Sequence, residues 1–221
     1  MKSLFITILI LCCAGVLEAA DRKILAIEKI TVIDGRGSVA RPNQTILITD
    51  SKISAAGDSR QIRVPRGAVV IDGSGKFVIP GLWDMHVHMR GSMLGNKGSF
   101  SAENEATLPL YLVNGVTGVR EMGGDMVDTV LRWRKEIREG RRVGPRIVTC
   151  GPKLDGSKPA WPGSIPVTSQ EEARATVQRV KTIGGEFVKI YNGAPNIPRD
   201  AYFAILTEAK RLGLRATGHL T

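Results

Sequence analysis

Alternation of apolar and polar residues dominates the chain between residues 21 and 76. Such a two-residue period is typical of half-buried strands. The strands predicted from it cover residues 29–32, 45–49, 52–56 and 68–71. Asp50-Ser51 separates the second and third of these strands, which predicts a tight hairpin. The close spacing of these strands predicts a small antiparallel sheet or sandwich over residues 21–76.

From Lys76 onward the pattern changes to strands that alternate with helices. Strands are predicted within 78–89 and at 116–120, 146–150, 187–191 and 214–220; helices are predicted at 103–114, 125–139, 169–183 and 199–212. Ser169 and Glu172 form a capping-box start, and a glycine follows each helix. Repeated strand–helix units predict a parallel sheet with helices outside, over residues 77–221. An eight-stranded barrel and an open doubly wound sheet both fit, but no glycine-rich dinucleotide motif follows the first strand, which disfavours the second.

Composition and charge exclude two classes of protein. A hydrophobic fraction of 43% with 24% charged residues is that of a globular chain, not a disordered one. The net charge of +10 comes from scattered Lys and Arg residues. The densest cluster, at 132–142, is interrupted by Glu136 and Glu139, as on a solvated helix face. No nucleic-acid partner is therefore expected.

The first twenty residues differ from the rest. Lys2 precedes an apolar run at 4–16, which is too short to span a bilayer, and small residues follow it. This pattern predicts a signal peptide at 1–20, export to the periplasm or the extracellular space, and no stable membrane insertion after cleavage. An uncleaved membrane anchor is the alternative. After cleavage Cys150 is the one remaining cysteine, so no intrachain disulfide is expected.

The three histidines of the chain all lie near the carboxyl ends of predicted parallel strands. They are His86, His88 and His219. In (β/α) barrels the catalytic groups come from those strand ends. His86 and His88 are two residues apart and so face the same side of their strand. Two imidazoles placed in this way can bind one divalent cation.

Four separated blocks resemble the amidohydrolase superfamily in the right order. They are Ile79-Pro80-Gly81-Leu82-Trp83-Asp84-Met85-His86-Val87-His88, Asn114 to Gly124, Phe187-Val188-Lys189-Ile190-Tyr191, and Ala216-Thr217-Gly218-His219. The resemblance covers residues 25–221 and is strongest to the Xaa-Pro dipeptidase and imidazolonepropionase-like branch. It implies an α/β fold: about five of the eight strands of a (β/α)8 TIM-type barrel, preceded by a small N-terminal β-sandwich portion.

The resemblance also implies a metal centre. His86 and His88 would hold the more buried metal, His219 the second, and Lys189 would bridge them as a carbamate. The full-length chain would thus carry two zinc ions, with Lys189 and His219 as its catalytic residues. The lysine also stands out by itself, because it lies between Val188 and Ile190 in a strand that should be buried on both faces.

Roles were also assigned to neighbouring residues. Tyr191 shares the Lys189 face and is equally compatible with substrate contact or core packing. Arg120 and Glu121 are expected to form a structural ion pair. Asp84 is expected beside the site and not as a ligand, and Cys150 as a small core residue.

The implied reaction is hydrolysis of a carbon–nitrogen bond by metal-activated water, with dipeptides or N-acyl amino acids as small-molecule substrates. Three alternatives stay open: a mononuclear deaminase or imidazolone-type hydrolase, an inactive exported ligand-binding protein, and a basic anion-binding module. The family also expects a histidine after the sixth strand and an aspartate after the eighth, which this sequence does not contain. The chain is therefore predicted to be a C-terminally truncated fragment, inactive by itself.

Overall fold

The computed structural model describes residues 23–91 and 101–220. The chain divides into two compact units, one ending at Pro80 and the other beginning at Gly81. The signal peptide predicted at 1–20 lies outside the described residues. Among the described helices, none combines the length and the apolar character that crossing a bilayer requires.

The first unit contains a five-stranded sheet. Its strands are β1 (Ile24–Val32), β2 (Arg41–Thr49), β3 (Lys52–Asp58), β4 (Val69–Asp72) and β5 (Phe77–Val78). They follow the order β3-β2-β1-β4, and β5 also pairs with β1. The predicted hairpin is confirmed, since Thr49 pairs with Lys52 and Asp50 turns the chain at a φ of 53°.

The direction of pairing in this sheet departs from the sequence prediction. β1, β2 and β3 are antiparallel as expected, whereas β4 and β5 run parallel to β1. These two short strands continue along one edge of β1 and are separated by a turn at 73–76. Alternation of residue types specifies which face a side chain occupies but not the direction of its neighbour, so the sequence pattern could not detect this.

The second unit alternates strands and helices. Its strands are β6 (Leu82–Val87), β7 (Val116–Glu121), β8 (Arg146–Thr149), β9 (Leu154–Asp155), β10 (Ile165–Pro166), β11 (Phe187–Ile190) and β12 (Arg215–Gly218); its helices are α1 (Ser101–Val113), α2 (Val127–Arg138), α3 (Gln170–Thr182) and α4 (Arg199–Arg211). All five strands and four helices predicted from the sequence are present. The two-residue strands β9 and β10 lie between the predicted strand at 146–150 and the predicted helix at 169–183, and are too short to leave a periodic signal.

The strands of the second unit form two parallel sheets. One has the order β6-β7-β8 and the other β10-β9-β11-β12. The Glu186 backbone N–H donates to the Thr149 carbonyl across 2.9 Å and so links the ends of β8 and β11. Parallel strands with intervening helices are the expected part of a (β/α) barrel.

Helices pack on these sheets through apolar faces. Val130 and Trp133 of α2 are buried against β6, β7 and β8, while α3 and α4 cover β11. The start of α3 confirms Ser169 as its N-cap, because the Ser169 hydroxyl accepts from the Glu172 N–H. The Glu172 carboxylate accepts in return from the Thr168 N–H across 2.7 Å. In a standard capping box the Glu172 carboxylate would accept from the N–H of Ser169 itself, so the reciprocal bond here comes from the preceding residue.

Candidate metal centre

The predicted site residues lie at the carboxyl ends of the parallel strands. His86 lies in β6 and His88 just beyond it, Lys189 lies in β11, and His219 follows β12. The register of β11 and β12 places Lys189 opposite Thr217. The His219 N–H then donates to the Ile190 carbonyl across 3.0 Å, which fixes where the chain leaves the sheet.

The backbone of β6 is irregular at the first histidine. Its register with β7 shifts between Asp84 and Val87. Two side chains satisfy the backbone groups there: the Asp84 carboxylate accepts from the His86 N–H across 3.0 Å, and the Arg120 guanidinium donates to the Met85 carbonyl across 2.7 Å. Asp84 therefore supports the strand end, as expected.

The two imidazoles of this strand end point their nitrogens at each other. His86 Nε2 and His88 Nε2 are 3.2 Å apart, and the ring planes are inclined by 65°. Two ligands that each lie about 2.05 Å from a tetrahedral zinc ion are themselves about 3.3 Å apart. The spacing of the two nitrogens therefore matches that of a pair of ligands on one cation.

A backbone carbonyl fixes the tautomer of His88. His88 Nδ1 lies 2.8 Å from the Gly123 oxygen, which can only accept, so Nδ1 carries the proton. Burial lowers the pKa of His88 to about 4, and the charges of Arg90 and Lys153 act in the same direction. The ring is therefore neutral at neutral pH, and its Nε2 lone pair is free to bind a cation. Metal-ligating histidines are oriented by the same kind of outer bond.

Lys189 is buried, with 3% of its surface exposed. All four residues of β11 are buried, which confirms the expectation that this strand is covered on both faces. Burial, together with the Arg120 charge, lowers the pKa of the Lys189 amine. The described residues offer its Nζ no hydrogen bond or ion pair.

Three of the four predicted ligands are close enough to interact electrostatically, since Lys189 and His219 both act on the pKa of His86. The pKa of His86 is lowered, first by burial and then by the charges of Lys189, Arg120 and His219. No hydrogen bond joins Lys189 or His219 to the His86–His88 pair within the described residues. The His219 ring instead lies 5.1 Å from the ring of Tyr191, the residue for which packing and substrate contact were equally expected.

The predicted ion pair between Arg120 and Glu121 is wrong. Neighbouring residues of a strand point to opposite faces. Arg120 turns toward Met85, whereas the buried Glu121 accepts a hydrogen bond from the Thr149 hydroxyl across 2.7 Å. Burial raises the pKa of Glu121 to about 7 against the effect of that bond. Cys150 is fully buried, as expected, and burial raises the pKa of its thiol.

The described residues contain no group of three or more His, Cys, Asp or Glu side chains placed to hold a metal ion. The His86–His88 pair nevertheless fits a divalent metal, because its two Nε2 atoms are correctly spaced and the His88 tautomer leaves its Nε2 free to bind. Sequence reasoning did not identify Gly123 or Lys153, which contact this pair through a hydrogen bond and through charge. A signal for Lys153 existed, since it follows a predicted parallel strand, and the segments after such strands form the active-site face of a (β/α) barrel.

Comparison with known proteins decides the family. Residues 77–221 match the model of the amidohydrolase family. The chain belongs to this family. The likeness to solved structures extends further: 89% of the chain superposes on a Xaa-Pro dipeptidase with bound methionine in its active site, with a TM-score of 0.72 and 22% identity. That identity supports the fold and not the substrate.

Relatives in the family carry several activities. A dihydroorotase of Geobacter sulfurreducens is 29% identical over 192 residues, which is 83% of this chain and 41% of the dihydroorotase. An adenine deaminase of Clostridium botulinum is 23% identical over 214 residues, which is 92% of this chain and 32% of the deaminase. The chain also covers 56% of the Xaa-Pro dipeptidase structure. It therefore spans less than two thirds of each of these three proteins.

Proposed function

We propose that this chain is the N-terminal, metal-binding part of an exported hydrolase that cleaves carbon–nitrogen bonds in small amide-type substrates such as dipeptides or N-acyl amino acids. The observation that carries the proposal is the His86–His88 pair, whose Nε2 atoms lie 3.2 Å apart with the His88 tautomer fixed by Gly123. Membership in a family of hydrolases that act on such bonds supports it. The remaining strands and ligands would come from further sequence.

Each of the four predicted ligands would have its own role in the metal centre. His86 and His88 would hold one zinc ion, His219 a second, and Lys189 would bridge the two. A centre of this kind, when bound, supplies an activated water and polarises the scissile carbonyl. His88 holds its ligand nitrogen ready through the Gly123 bond, so no proton has to leave the ring before binding.

Lys189 is suited to become a carbamate. An uncharged amine is required, and burial lowers the pKa of Lys189. Its nitrogen lone pair would form a C–N bond to carbon dioxide as one C=O π bond breaks, one proton would be released, and the new group would carry a single negative charge shared by its two oxygens. This also explains why a lysine without an ion-pair partner is stable in β11, since the carbamate and not the ammonium is the functional form.

Metal content tests the proposal. The full-length protein, produced with zinc and dialysed, should contain two zinc ions per chain by mass spectrometry. The double variant His86→Asn/His88→Asn should lose at least one ion and about 10³-fold in kcat/KM toward a dipeptide panel. Lys189→Ala should lose the carbamate signal seen by ¹³C NMR after growth in labelled bicarbonate. Lys158→Ala, an exposed lysine, is the matched control.

A mononuclear deaminase is the second candidate. The similarity to an adenine deaminase favours it. It predicts one metal ion per chain, no carbamate on Lys189, and ammonia release from aminopurines. Two ions with an unreactive aminopurine would exclude it. Sequencing of the mature N-terminus tests export separately, because cleavage near residue 20 is expected.

A further inference from the structure

Lys153 is a buried lysine whose amine forms no ion pair within the described residues. It lies between β8 and β9, and 1% of its surface is exposed. The described residues provide no hydrogen bond or ion pair for its Nζ. Its neighbours are aromatic: the Nζ lies 5.3 Å from the ring of Trp161 and 5.8 Å from that of Tyr191. Such contacts stabilise a buried ammonium only in part, so an anion bound beside it would lower its free energy further.

The Lys153 side chain contacts residues that adjoin the predicted ligands. Its stem packs over Gly123, where an added Cβ would come within 2.4 Å of Lys153 Cγ and where the φ of 90° also favours glycine. Gly123 is the residue whose carbonyl orients His88. At the other end, the Tyr191 ring that Lys153 approaches lies 5.1 Å from the His219 ring. The Lys153 side chain therefore reaches from the residue that orients His88 to the aromatic ring beside His219.

A second cation shares the same indole. The Arg90 guanidinium lies 4.1 Å from the centre of the Trp161 ring, and its Nε is buried without a partner in the described part of the chain. Burial lowers the pKa of Lys153 and the Arg90 charge adds to the effect, while Cys150, Glu121 and Asp155 act against it without forming an ion pair. Two cations held together in this way attract a ligand of opposite charge.

The nearest acidic residue of the loop is already used by the backbone. Asp155 accepts from the N–H groups of Gly156 and Gly193 at 2.8 and 2.7 Å with one oxygen, and from that of Ala160 at 3.1 Å with the other. These bonds fix the loop around Lys153 and occupy both oxygens of the carboxylate. The cation is thus held in place before any ligand arrives, which lowers the cost of binding one.

We propose that Lys153, assisted by Arg90 on the Trp161 face, is the subsite that binds the carboxylate of the substrate. The naming of a substrate carboxylate rests on the proposed hydrolase function. The subsite gives the enzyme a preference for acids, such as N-acyl amino acids and dipeptides, over the corresponding amides. A buried ammonium without an ion-pair partner gains more from a carboxylate than from a neutral carboxamide.

Calorimetry on the full-length protein tests this independently of turnover. The probes are N-acetyl-L-leucine, N-acetyl-L-leucinamide and acetate. The wild type should bind the acid at least 10-fold more tightly than the amide and at least 10-fold more tightly than acetate. Lys153→Met should weaken binding of the acid at least 10-fold and change that of the amide less than 2-fold. Lys153→Gln repeats the test should the Met variant not fold, and Lys158→Met in the same loop should behave as wild type.

The outcomes separate the two proposals. Equal affinity for acid and amide, or an acid preference that survives loss of Lys153, overturns the subsite. Acetate that binds as tightly as N-acetyl-L-leucine overturns its role in substrate recognition, since the site would then hold any small anion. Acid-selective binding without hydrolysis of any amide removes the hydrolase function and leaves the subsite. Hydrolysis of an amide without preferential binding of the acid supports the hydrolase function and overturns the subsite.

Discussion

The two units of the chain differ in the number and kind of polar side chains that they bury. In the first unit, the one buried polar side chain among the described residues is that of Thr45, whose hydroxyl contacts Ser59. Among its described residues, the second unit buries five acidic or basic side chains: Glu121, Lys153, Asp155, Lys189 and Glu208. Because burying an ionisable group costs free energy, this contrast indicates which unit gives up stability to hold chemical groups in place.

Within the second unit a further difference separates structure from function. Asp155 and Glu208 are fully engaged, the former by backbone N–H groups and the latter by Arg211 and Gln178. Lys153 and Lys189 have no hydrogen bond or ion pair among the described residues. The two carboxylates with hydrogen-bond partners stabilise the fold, whereas we propose that the two lysines without such partners bind ligands. Substitutions at three positions, Glu121, Lys189 and Asp50, test these two comparisons.

The largest expected effect concerns Glu121. Its pKa is raised from an ordinary 4.5 to about 7 by burial, so the folded state binds the proton more tightly than the unfolded chain. The stabilisation is complete below pH 4.5, is lost as the pH rises to 7, and amounts to about 3 kcal/mol. Glu121→Gln should remove this loss. Urea unfolding followed by tryptophan fluorescence reports on the second unit, which holds all three tryptophans. Parallel stability curves for wild type and variant between pH 4.5 and 7.5 would contradict the prediction.

A smaller effect is expected from Lys189→Met. Replacing a buried, unpaired amine by an apolar side chain of similar length should raise the free energy of unfolding by about 1–2 kcal/mol while abolishing hydrolysis. The same fluorescence-detected urea titration measures it, in carbon dioxide-free buffer without metal. Lys158→Met, at an exposed position of the same unit, should leave the free energy of unfolding within about 0.5 kcal/mol of wild type. A loss of stability in the Lys189 variant would show that its amine already has a stabilising role.

The smallest effect is expected in the first unit. Asp50 turns the β2–β3 hairpin at a φ of 53°, where a side chain costs energy and glycine does not. Asp50→Gly should stabilise the hairpin by about 0.5 kcal/mol, and Asp50→Ala should destabilise it by about 1 kcal/mol. Hydrogen exchange of the β2 and β3 amides measures both changes. Equal exchange in the two variants would mean that the turn relaxes to another conformation.

Local signals account for what the sequence predicted well. The start of α3 was found because Ser169 and Glu172 lie three residues apart, and all four helices are followed by a glycine with positive φ: Gly115, Gly140, Gly184 and Gly213. The expected Arg120–Glu121 pair failed for a reason that alternation along a strand could have supplied. The direction of β4 and β5 could not be predicted, because it depends on how connections cross the sheet.

The sequence by itself determined which groups stand at the strand ends: two imidazoles on one strand, an amine enclosed by Val188 and Ile190, and an imidazole after the last strand. Periodicity and neighbouring residues encode these positions within a few residues of each other. Only the tertiary structure decided that the His86 and His88 nitrogens converge to 3.2 Å, that Gly123 fixes a tautomer, and that Lys153 is buried against Trp161. Those features depend on contacts between segments far apart in the chain, for which no local pattern exists.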